Sequence, residues 1–318
     1  MTLLVANPFV GIAHMSQHPF LRYAFLAGTA IAVASGLVGY FVVLRGQVFT
    51  GDALSHVAFT GALGALASGI DLLLGLYGTC VLVALAMAAI GSRGRADDTV
   101  IGSVFAWILG LGALFLTVYT TSSSGTDATS GVNVLFGSIF GLSRSQAVTD
   151  AVIALAVAAT VVAIGRPLLF ASIDEPVAGA RGVRVRALGF VFLGLVGMTA
   201  AAATQAVGAL LLLGLLAAPA GTAQRLTARP FRAMWLSAGI AVASVWFGLS
   251  IAYAAPSIPP SFGILVVASS CYLVAFVVTA GRDLLGQVRR ARRQGLPLLG
   301  WAGRYDAVRT SRSEGENR

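Results

Sequence analysis

Two side chains stand out for the chemistry that their types and spacing allow. Asp52 and His56 lie in the run Thr50-Gly51-Asp52-Ala53-Leu54-Ser55-His56. Residues four apart share one face of a helix. A carboxylate oxygen and an imidazole nitrogen can then converge on one point, a donor pair that suits zinc, manganese or ferrous iron. Two ligands do not complete a coordination shell, so a second copy of the chain, another helix or water must supply the rest. The competing assignment is a helix N-cap aspartate beside an unrelated interfacial histidine. Hydropathy puts the pair near one end of its apolar run rather than at the middle.

Other candidates are fewer. Gln205, in Thr204-Gln205-Ala206-Val207-Gly208, falls between two apolar runs. It either lines a pathway or satisfies a helix end. Asp150, beside Arg144 and Ser145, reads as interfacial. His14 and His18 precede the first apolar run and read as solvated, although they could feed a metal inward. Cys80 and Cys271 sit inside apolar runs without CxxC spacing, which offers neither a disulfide framework nor a cysteine metal site. Ser172 to Val183 is different in kind. Asp174-Glu175-Pro176 is helix-start chemistry, small residues including Ala178 follow, and Gly182 reads as a stop. A short segment built this way suits docking into a groove on another protein.

Composition decides what must position these residues. The chain has 318 residues, 57% of them hydrophobic and 10% charged. A soluble domain is roughly a quarter charged. Membrane-spanning helices, each needing about 20 apolar residues to cross some 30 Å of hydrocarbon, account for the difference. The expected fold is all-α, a polytopic transmembrane helix bundle of about 8–9 spans, near residues 22–44, 52–70, 72–92, 100–120, 147–166, 187–204, 206–226, 233–254 and 262–281. This divides the chain into an N-terminal segment 1–21, a transmembrane domain 22–281 and a basic tail 282–318. Val132 to Leu142 is apolar but too short to span, as a half-helix or re-entrant piece would be. The short turn Gly69-Ile70-Asp71 makes its flanking runs a tight antiparallel pair. With 38 Gly, close helix approach is available.

All 21 cationic side chains are Arg. Without Lys there is no Walker A phosphate loop and no Schiff-base chemistry. The net charge of +9 does not point to nucleic acid, because the Arg residues punctuate apolar runs and fill the tail. In a nine-span arrangement 19 of the 21 fall on one side, the exceptions being Arg22 and Arg144. By the positive-inside rule the N-terminus is outside and the tail cytoplasmic. The Asp52–His56 pair then lies near the inner face. Arg289 to Arg293 would rest on anionic headgroups, with 308–318 a solvated end. The first 20 residues lack the features of a removable signal peptide. No nucleophile–base set supports a membrane enzyme.

The pattern resembles the integral-membrane permease of zinc- and manganese-type ABC importers. The clearest run is Leu44-Arg45-Gly46 through Gly51-Asp52-Ala53-Leu54-Ser55-His56 to Gly61. Gln205-Ala206-Val207-Gly208-Ala209-Leu210-Leu211 with Pro219-Ala220, Leu135-Phe136-Gly137-Ser138-Ile139 and the Asp174–Gly182 loop support it, and the resemblance covers roughly residues 20–283. Where the family continues past the histidine with a Pro-Gly-like run, Val57-Ala58-Phe59-Thr60-Gly61 has no proline. The resemblance implies that Asp52 and His56 contact the transported metal. It implies that Asp174, Glu175, Ala178 and Gly182 belong to a loop coupled to a separate ATPase, which holds the ATP. It further implies a second permease copy, an extracytoplasmic metal-binding protein and the cytoplasmic membrane of a prokaryote. The alternative, a stand-alone ion-gradient-driven transporter or channel, commonly shows inverted repeats, and no convincing repeat is present.

Overall fold

The computed structural model describes residues 19–91, 98–122, 136–137, 139–209, 212–255 and 257–293, with side chains up to 282. The described residues are helical, without strands. In chain order the helices are α1 (Pro19–Leu44), α2 (Val48–Ser68), α3 (Leu72–Ile90), α4 (Asp98–Ser122), α5 (Arg144–Ile173), α6 (Glu175–Ala180), α7 (Val185–Val207), α8 (Leu212–Leu226), α9 (Pro230–Ala254) and α10 (Pro260–Arg293), with a 3₁₀ turn at Ile139–Gly141. Each expected span has its helix. Seven are long and apolar enough to cross a membrane. The other two long helices are α2, interrupted by polar residues, and α8, which at 15 residues reaches only about 22 Å.

Some boundaries differ from the sequence reading, for identifiable reasons. The helix expected to stop at 166 runs to Ile173 with Pro167 inside it, so Arg166 and Pro167 do not end it. It begins at a reciprocal cap: Ser143 Oγ accepts from Gln146 N, and Ser143 N donates to Gln146 Oε1. The run starting at 206 is broken at Gly208, whose φ of 95° a side chain disfavours. The Gly69–Asp71 turn is as tight as expected. Gly69 caps α2 in the left-handed region, and Asp71 Oδ1 accepts from Leu73 N and Leu74 N to start α3. Of the short apolar piece, only Phe136, Gly137 and 139–142 are described. The 121–131 run is described only to Ser122, and His14, His18 and the tail beyond 293 lie outside the described residues.

The described residues fall into two compact units, divided between Tyr272 and Leu273. Within the first, α1 packs against α5, α8 and α9, while α2 packs against α3, α4 and α7. Lipid tails are as apolar as leucine, so close van der Waals packing and interhelical hydrogen bonds must hold such helices together. Both operate on α1. A Cβ on Gly36 would stand 2.5 Å from Ala238 Cα of α9, and one on Gly39 would overlap the Leu216 carbonyl oxygen of α8. Ser237 Oγ donates to Gly36 O at 2.7 Å, and Gln224 Nε2 donates to Tyr40 O at 3.1 Å.

Candidate functional site

Asp52 and His56 sit on α2, and the structure removes the capping alternative. Helix α2 starts at Val48 with Gln47 as its N-cap residue, so Asp52 is already a full turn inside. His56 is the ninth of 21 residues, about 12 Å along at 1.5 Å per residue. It therefore lies close to the midpoint of α2. The polar run Thr50–His56 lowered the apparent hydropathy of a segment that is nonetheless helical.

The two side chains share a face, as their spacing requires. Asp52, His56 and Phe59 form a half-buried stripe, whereas Ala53, Leu54, Ser55, Val57 and Ala58 are buried. Phe49, at the start of the stripe, is 70% exposed. Behind it, Gly51 meets Leu216 of α8, and Thr60 Oγ1 donates to Ile108 O of α4 at 3.1 Å. The His56 ring meets Phe105 of α4 edge-on, with centroids 5.1 Å apart. Among the described residues no group of three His, Cys, Asp or Glu side chains gathers around the pair or elsewhere.

Gln205 is bonded to a residue of another helix. It lies inside α7, not between helices, and bonds to Asp150 of α5. With its amide nitrogen assigned toward the carboxylate, Nε2 donates to Oδ1 at 3.0 Å and to Oδ2 at 3.1 Å. Tyr77 of α3 donates its hydroxyl to Asp150 Oδ1 at 2.7 Å. Asp150 has no exposed surface, a burial that its polar sequence neighbours do not report. Its partners are 73 and 55 positions away, a separation that local pattern does not report.

The loop residues assemble into a short exposed helix. Asp174 Oδ1 caps α6 by accepting from Val177 N at 3.1 Å. Pro176 is in the first turn, where its missing N–H costs nothing. Gly182 N donates to Gly179 O and Val183 N to Ala178 O, the paired bonds of a Schellman stop. That stop holds Gly182 at φ +85°. Ala178 is fully buried and anchors the segment, while Pro176, Val177, Gly179 and Ala180 face outward. Glu175, Pro176 and Gly179 also line a groove with Gly91, Val185 and Arg186.

The described residues form a bundle of apolar helices with a short exposed helix between two of them, the architecture of a multi-pass membrane protein. The chain belongs to the ABC 3 transport family, whose model matches residues 17–279. It is a multi-pass membrane transport protein and not an enzyme. It is 29% identical to the manganese transport system membrane protein MntC of Halalkalibacterium halodurans, over 87% of this chain and 93% of that one. It is also 29% identical to the manganese import system permease protein ScaB of Streptococcus parasanguinis, over 83% and 92%. Among solved structures it is similar to PsaBC of Streptococcus pneumoniae, determined in complex with a Fab. The TM-score is 0.73 at 25% identity, covering 85% of this chain and 95% of that one.

Proposed function

We propose that this chain carries manganese or zinc inward across the cytoplasmic membrane of a prokaryote, by alternating access, as one of two copies in an ABC importer. The observation that carries this reading is the Asp52–His56 half-site at mid-helix on a half-buried face. A second copy, related by two-fold symmetry, would bring an identical carboxylate and imidazole to the same ion. Oxygen plus nitrogen donors suit both metals, and the relatives named for manganese favour that one. A sparse ligand set also lets the ion go. In this scheme an ATPase subunit binds ATP and grips α6 from the cytoplasm, a metal-binding protein delivers cargo outside, and nucleic acid plays no part. The direct test is metal content. Cells lacking the gene should lose manganese or zinc accumulation and recover it from a plasmid copy; unchanged content of both metals would overturn the assignment.

Two further results are expected. Orientation follows from the 19-to-2 division of Arg. With Cys80 and Cys271 replaced, a cysteine placed near Arg289 should resist an impermeant thiol reagent in intact cells, and one placed in 121–131 should react. The reverse pattern would invert the topology. Gly182→Asp should leave the permease in the membrane while uptake drops. There is open space at the Gly182 Cβ position, and Asp enters the left-handed region more readily than most residues, so folding loses about 1 kcal/mol. The new charge lands on the docking face, however, and an unpaired charge buried at an interface is costly. Wild-type uptake with normal ATPase co-purification would count against α6 as the coupling element.

A further inference from the structure

A carboxylate with no exposed surface, inside a bundle that sits in lipid, is expensive to keep. Asp150 is such a group, and it joins three helices: α5 by its own position, α3 through Tyr77 and α7 through Gln205. The connection extends toward the metal pair. Nearly one turn along α3 from Tyr77, the buried Cys80 donates its thiol to the Leu54 carbonyl oxygen of α2 at 3.4 Å. Leu54 lies between Asp52 and His56. The same two helices also meet backbone to backbone, since a Cβ on Gly75 would come within 2.6 Å of the Gly61 carbonyl oxygen. Helix α2 is thus held in register against α3, and α3 is held to α5 and α7 by the buried cluster.

We infer that Tyr77, Asp150 and Gln205 are positioning residues for the Asp52–His56 pair, acting through α3 and by hydrogen bonding rather than by charge. The inference rests on the reading of that pair as the metal site. Charge is dispensable because an isosteric amide can satisfy the same partners. In Asp150→Asn the side-chain oxygen still accepts from Tyr77. The amide nitrogen donates to Gln205, whose own amide turns to present its oxygen. Asp150→Leu fills the space and bonds to neither neighbour. Tyr77→Phe removes only the arm to α3 and leaves the Asp150–Gln205 bond in place.

The experiment uses the full-length protein in its membrane, with Cys271→Ser so that Cys80 is the only thiol. The reaction of Cys80 with membrane-permeant N-ethylmaleimide reads the α2–α3 contact. Manganese binding to the purified protein, read from loss of the free-ion EPR signal, reads the metal pair. Tyr77→Phe and Asp150→Leu should each speed Cys80 labelling and weaken manganese binding by about tenfold, the equivalent of one net hydrogen bond. Asp150→Asn should leave both near wild type. If Asp150→Asn fails as badly as Asp150→Leu, the charge itself is required and the inference falls. It falls equally if Tyr77→Phe labels and binds like wild type, and that variant decides the matter should the Leu variant not insert. His56→Ala is the control for the underlying reading. If it binds manganese normally, the pair is not the metal site, and Cys80 labelling alone then decides whether the cluster holds α2 against α3.

Discussion

Uptake of radiolabelled manganese or zinc should fall about 10–100-fold when His56 is replaced by alanine, the scale on which disturbed metal sites lose function. Asp52→Ala should do the same. Both variants should reach the membrane in normal amount, because neither side chain is part of the buried packing of α2. Asp52 is not a helix cap, so the cost of about 1 kcal/mol for losing one does not apply. The double variant should be little worse than either single change, since residues acting on one ion are not additive. Purified complex in lipid vesicles, supplied with ATP and metal-loaded binding protein, measures this. A His56→Ala protein that transports at the normal rate would leave a permease whose cargo the α2 stripe does not explain.

The second large effect is on assembly of the bundle. Gly39→Val should yield little or no folded protein. A side chain there would run into the Leu216 carbonyl oxygen, and backbone cannot step aside as a flexible side chain can. Overpacking of this kind costs about 3 kcal/mol or more, a large part of a typical stability of 5–15 kcal/mol. Yield of monodisperse protein in a detergent extract reads the outcome. Gly239→Val on α9, where a Cβ meets open space, is the matched control and should extract normally. Equal yields from the two variants would mean that α1 and α8 do not touch through backbone.

The spans and the shared face of Asp52 and His56 were legible because their signals are local. Twenty apolar residues make a helix in lipid wherever they occur, and a four-residue spacing fixes a shared face. The α6 loop was legible for the same reason, since its cap, proline and stop glycine (Asp174, Pro176 and Gly182) are close neighbours in the chain. What sequence misplaced was what depends on distant partners. Asp150 was read from Arg144 and Ser145, its neighbours in the chain, whereas its environment is made by Tyr77 and Gln205. The start of α2 was set too late because polar residues on one face of a helix look like a boundary when read in a line. Gln205 was taken as lying between helices because the break comes three residues later, at Gly208.

Helix α5 has a mechanical consequence. Its 30 residues make a rod about 45 Å long, with the Tyr77–Asp150–Gln205 knot near one tip and α6 capped directly onto the other. Under the proposed coupling, a push on α6 acts on the end of this rod. The rod has one compliant point, Pro167, where the ladder lacks a hydrogen bond. Seventeen residues separate that joint from Asp150 and only seven separate it from Asp174. The arm toward α6 is the short one and the arm toward the knot the long one, the proportions of a lever that, under the proposed coupling, turns a small displacement of α6 into a larger one at the knot.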